Sequence, residues 1–100
     1  MSRRETYSDT FTGEADSNIR RILYGKNDDN EQRDLKRILL KIIKNELTPR
    51  QNEIIMLYYF KDMNITEIAE RLGVTPQAVS AAMARARLRM FRILKYYIRS

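Results

Sequence analysis

Three helix-start signatures follow one another through the middle of the chain, and no segment alternates apolar and polar residues with the period of a strand. They are Thr48-Pro49 with Gln51, Asn64 with Glu67, and Thr75-Pro76. In each, a side-chain oxygen is placed to accept from an amide that the first turn of a helix leaves unpaired, and a proline at the first helical position gives up an N–H that had no partner. Gly73, just ahead of the third start, suits a left-handed helix stop. This punctuation predicts an all-α fold with helices over residues 49–61 and 65–72 and a long C-terminal helix over 76–99.

Upstream, Leu35, Ile38, Leu39, Ile42 and Ile43 fall at i, i+3, i+4, i+7 and i+8, one stripe of a helix that starts near Asp29, where Gln32 completes a capping box. Before it, Ser17 caps a short helix over 18–24 that Gly25 closes, and the polar residues 26–30 act as a linker. Residues 1–16 are rich in Ser, Thr, Asp and Glu and show no period, so they read as a flexible tail whose removal leaves the fold intact. The expected organisation is a tail with a short helix over 1–28 and one small helical domain over 29–100.

Composition narrows the chemistry. In 100 residues there is no Cys and no His. The commonest general acid-base, the thiolate nucleophile and the usual zinc and iron-sulfur ligands are therefore missing, and a chain this short cannot enclose a large cleft as well as a core. No catalytic residue, metal ligand or cofactor is expected, and the chain reads as non-enzymatic. The longest apolar run, residues 54–60, is far shorter than a membrane span, and Arg3-Arg4 has no apolar segment behind it, so no membrane or export role is expected. Zero Cys fits a reducing cytoplasm. Of the net charge of +6, the last quarter holds a concentrated share: residues 76–100 carry Arg85, Arg87, Arg89, Arg92, Lys95 and Arg99 and no acid. A one-signed segment of that kind points to a polyanion, with a solvated cationic face as the alternative.

Residues 65–84 have the spacing of a helix-turn-helix. Ala69 is small where the two helices must touch, Gly73 follows four residues later in the turn, and Val79 six after that anchors the second helix, with Ile68, Leu72 and Val74 as the seam between them. The partner expected for such a unit is double-stranded DNA; a helix pair that only completes a core is the alternative. On the second helix the Thr75-Pro76 start aims amides at phosphate and Gln77 reaches far enough for paired hydrogen bonds to adenine. Small residues let the helix sit deep, and Arg85 and Arg87 hold the DNA backbone. The candidate contacts are Thr75, Gln77, Ala78, Ser80, Ala81, Ala84, Arg85 and Arg87.

From Leu47 to about Leu94 the chain resembles region 4 of the sigma-70 family of bacterial RNA polymerase sigma factors. The resemblance rests on Leu47-Thr48-Pro49-Arg50-Gln51, on residues 55–60 and 66–75, on Val79 and on Arg85-Ala86-Arg87. It implies a four-helix domain whose last helix enters the major groove of the promoter −35 element while earlier helices dock on the polymerase flap. Two features depart from the family. Ser80 and Ala82 stand where it usually has basic residues, so the isolated chain is expected to bind weakly. The first 46 residues are too short and polar for region 2, which grips the polymerase clamp, so RNA polymerase or a sigma-like partner subunit is expected to supply the rest.

Val79, Met83, Ala86, Met90, Ile93 and Tyr97 form a coiled-coil-like seam along the last helix. It is expected to pack on the 35–43 stripe of the same molecule; the same seam on a second copy gives a homodimer instead. Leu88 and Phe91 lie away from it among arginines, so with Arg92 they are the candidate partner-binding residues. The function that follows is a sequence-specific DNA-binding transcription regulator. The alternative is a module that binds RNA polymerase or another sigma factor without reading DNA.

Overall fold

The computed structural model of the chain describes residues 10–25 and 30–99. Among them are five helices and no strand: α1 (Thr10–Tyr24), α2 (Asn30–Asn45), α3 (Pro49–Ile55, continuing as a π-helical turn, Met56–Phe60), α4 (Ile65–Leu72) and α5 (Pro76–Arg99). The fold is a small all-α domain with a long last helix. Its punctuation forms at the predicted residues. Thr48 accepts from the Gln51 amide at 3.1 Å while Gln51 accepts from the Thr48 amide at 3.2 Å. Asn64 and Glu67 exchange the same pair of bonds at 2.8 and 2.9 Å. The predicted start of α2 at Asp29 lies outside the described residues.

α5 is the axis of the molecule, and α2, α3 and α4 all pack against it. Val79, Met83, Ala86, Met90 and Leu94 are buried along one side of it. Their spacing follows the 3.6-residue turn of a straight helix rather than the 3.5 of a supercoil. The predicted seam therefore drifts at its far end: Leu94 replaces Ile93 in the core, and Tyr97 is 53% exposed.

α1 departs most from expectation. It begins at Thr10, well before residue 18. Ala15, Ile19, Ile22 and Leu23 are buried, the last three in one cluster with the apolar residues of the other helices. Residues 10–16 are thus helix, and from Ala15 onward the segment read as tail belongs to the domain. The stripe at i, i+4, i+7 and i+8 is present in the sequence, but Asp16 and Ser17 within it and Gly13 just ahead of it obscure the period.

The π turn explains how Leu57, Tyr58 and Tyr59 are all buried in succession. The Lys61 amide donates to the Met56 carbonyl at 3.1 Å, five residues back, and the Met63 amide to Leu57 at 3.0 Å. Widening the turn brings consecutive side chains onto the inner face. Asp62, at φ +58°, then ends the helix in a left-handed conformation that a short polar side chain tolerates.

Candidate nucleic-acid interface

Gly73 takes φ +71° at the end of α4. The Val74 amide donates back to Ala69 at 3.0 Å and the Gly73 amide to Glu70 at 3.3 Å, so both bonds of a Schellman stop are made. Thr75 then accepts from the Ala78 amide at 3.1 Å and launches α5. Ile68, Ala69 and Val79 are buried where the two helices meet, which is the role their spacing assigns them. The result is a helix-turn-helix with α5 as its second helix.

The turn and the seam decide which side of α5 faces outward. Thr75, Gln77, Ala78, Ala81, Ala84 and Arg85 are exposed, and Ser80 is half-buried at the edge of the same strip. Small side chains leave the strip shallow between Gln77 and Arg85, with no acid on it.

Arg87 is not on that strip, which corrects the expectation that it holds a DNA backbone. It is 4% exposed. Its Nε donates to the Tyr59 hydroxyl at 3.0 Å and its Nη2 to the Asp16 carboxylate at 3.3 Å. Tyr59 donates to the same carboxylate at 2.8 Å. The reason is rotational: residue 87 lies one turn from Met83 and from Met90, both fully buried, so its stem runs along the core and its charge must find a partner there. That position relative to the two methionines is the sequence signal for the burial of Arg87; the parts played by Asp16 and Tyr59, 71 and 28 positions away, have no local signal.

Two further side chains extend the network around Tyr59. Arg20 pairs with Asp16 at 3.1 Å and lies over the Tyr58 and Tyr59 rings, 5.1 and 5.2 Å from their centroids. Tyr24 donates its hydroxyl to the Tyr59 carbonyl. Burial pushes the Tyr59 phenol above its ordinary range; the Asp16 carboxylate adds to the rise, and the Arg87 guanidinium works against it. For Arg20, burial disfavours the charge, but Tyr58 and Asp16 outweigh it and raise its value.

The three candidate partner residues separate. Leu88 is 46% exposed and Arg92 is exposed. Phe91 is half-buried against the core and lines, with Ile22, Leu35 and Leu94, an open groove of about 440 Å³ between α1, α2 and α5 that Arg21 and Lys95 flank. Among the described residues no group of acidic side chains is arranged to hold a metal ion, and no helix is long and apolar enough to cross a membrane.

The family profile described as Sigma-70, region 4 matches residues 37–90. A relative from Desulforamulus reducens, described as a UPF0122 protein, is 50% identical over 40 residues, which are 40% of this chain and 34% of that protein. The chain thus spans about a third of the length of this curated relative. No solved structure matches the chain. The matched residues run from within α2 into α5 and include both the left-handed stop at Gly73 and the helix it launches; the chain belongs to the sigma-70 region 4 family of DNA-binding helix-turn-helix domains.

Proposed function

We propose that this protein is a transcription regulator that reads promoter −35-type DNA with the outward strip of α5 and binds tightly when RNA polymerase, or a subunit supplying region 2, adds contacts. The observation that carries this reading is the strip itself: Gln77, Ala81 and Ala84 are exposed with Arg85 at their end, while Val79 and Met83 hold the opposite side in the core. The role is non-catalytic, and its setting is the bacterial cytoplasm. Arg85, Arg92 and Lys95 are the exposed cations along α5 that make no ion pair among the described residues, so few phosphates are neutralised by one copy. With two or three such contacts, the logarithm of affinity falls against the logarithm of salt concentration with a slope of about −2 to −3.

The test titrates the full chain against −35-type and random duplexes at two salt concentrations, with and without polymerase. A salt-dependent preference for the −35-type duplex that polymerase strengthens is the expected result. No salt-dependent duplex binding, even with polymerase present, overturns DNA reading. The second reading, a module that binds polymerase or another sigma factor without touching DNA, draws support from Leu88. It is a large apolar side chain on an exposed face, and no base stands at Ser80 on the edge of that face.

A further inference from the structure

Arg87 and Arg89 stand two residues apart on α5. At about 100° per residue they leave the helix on opposite flanks. On one side between them runs the buried seam of Val79, Met83, Ala86 and Met90; on the other, the outward strip centred on Leu88. Each arginine is tied to a different part of the fold. Arg87 reaches Tyr59 in the π turn and Asp16 on α1, at 3.0 and 3.3 Å. Arg89 donates to the Glu46 carbonyl at 2.7 Å and lies 3.7 Å from its carboxylate, just past the end of α2.

An apolar seam made of Met, Ala and Val resists separation of the helices better than it resists rolling, because dispersion contacts have no direction. Charge-assisted hydrogen bonds do have direction. A roll of about 20° displaces a side-chain tip by about 2 Å at the 5–6 Å radius of a helix, enough to take Gln77 out of hydrogen-bond range of a base edge.

We propose that Arg87 and Arg89 are positioning residues: held on opposite flanks, they set the rotation of α5 about its own axis and so aim the strip from Gln77 to Arg85. Their value for sequence preference rests on the DNA reading proposed above. The clamp itself does not. Arg87, in the core, is no phosphate contact, although it lies in the most basic segment of the chain; Arg89 is half exposed and spends its hydrogen bond on the Glu46 carbonyl.

Because the chain has no cysteine, rotation can be read by thiol labelling. Ala82→Cys places a thiol on the buried side of α5, Ala84→Cys one on the exposed strip, and Ala69→Cys a buried reference on α4. Each is labelled with a maleimide in the wild-type, Asp16→Ala/Tyr59→Phe and Arg89→Ala backgrounds. The double substitution keeps the ring and removes both oxygen partners of Arg87; Arg89→Ala releases the other flank. Both are expected to raise labelling at 82 relative to 84 and leave 69 protected, and Arg89→Lys to restore the wild-type ratio through the Glu46 carbonyl. The preference for specific over random duplex falls about fivefold, the loss of one base contact, with random-duplex affinity unchanged. Labelling at 82 that stays at the wild-type level, or that rises together with 69, overturns the clamp. Labelling that rises at 82 alone in a protein whose wild type shows no duplex preference upholds the clamp and removes the DNA reading instead.

Discussion

Tyr59 donates its hydroxyl to the Asp16 carboxylate at 2.8 Å, across 43 positions of the chain. That bond, with the Arg87 ion pair on the same carboxylate, gives the N-terminal helix a specific seat against α3 and α5. Removing the carboxylate leaves a buried guanidinium without a counter-ion. Asp16→Ala is therefore expected to cost about 3 kcal/mol, read as a lower urea midpoint. Deletion of residues 1–16 removes the same group together with buried Ala15 and is expected to destabilise as well, contrary to what the composition of the segment suggests. An unchanged midpoint for Asp16→Ala would mean that water serves Arg87 as well as the carboxylate does.

The Tyr59 phenol predicts an alkaline limit. Burial raises its pKa in the folded state above the ordinary value of 10.0. Above that pH the unfolded chain releases a proton that the folded chain keeps, so the stabilisation is fully present below about pH 10 and declines as pH rises further, by up to about 1.4 kcal/mol per unit. Melting temperatures measured from pH 8 to 11 should fall at the upper end, and Tyr59→Phe should flatten that fall. A wild-type slope identical to that of Tyr59→Phe would show that the phenol is not responsible.

At Gly73 the backbone conformation alone sets the cost of substitution. A Cβ built there meets nothing within 4 Å, and φ is +71°. Gly73→Ala is expected to cost about 1 kcal/mol, Gly73→Val more because a β-branched residue is least suited to that region, and Gly73→Asn less than either. Thermal melts of the three variants test this order. Equal melting temperatures would contradict the left-handed stop and with it the helix-turn-helix.

The DNA strip separates three residues by the way their loss should appear. Gln77→Ala is expected to cost about 1 to 3 kcal/mol on the preferred duplex and to relax preference at one base pair. Arg85→Ala should weaken all duplexes alike and lower the salt slope by about one ion. Arg87→Ala should lower stability with no loss of a phosphate contact, because its guanidinium is in the core. Titrations at two salt concentrations beside denaturation curves distinguish these cases. A drop of one ion in the salt slope for Arg87→Ala would return that residue to the DNA.

Local rules wrote most of this fold into the chain. The caps at Thr48, Asn64 and Thr75, the stop at Gly73 and the stripe from Leu35 to Ile43 each depend on residues within a few positions of one another, so sequence alone determined α2 to α5 among the described residues and the helix-turn-helix between α4 and α5. The outward placement of Gln77, Ala81 and Ala84 follows from helical period once Val79 and Met83 are known to face inward. Tertiary structure decided what depends on distant neighbours. Asp16 and Arg87 are 71 positions apart, and nothing local tells an arginine whether a carboxylate and a tyrosine hydroxyl will be waiting beside its turn of helix. The same holds for α1, whose polar composition conceals a stripe that pays off only when the core closes over it, and for the far end of α5, where Leu94 rather than Ile93 meets the core. Helix periodicity is a property of the backbone and travels with the sequence; the partner of a buried charge is a property of the packed whole.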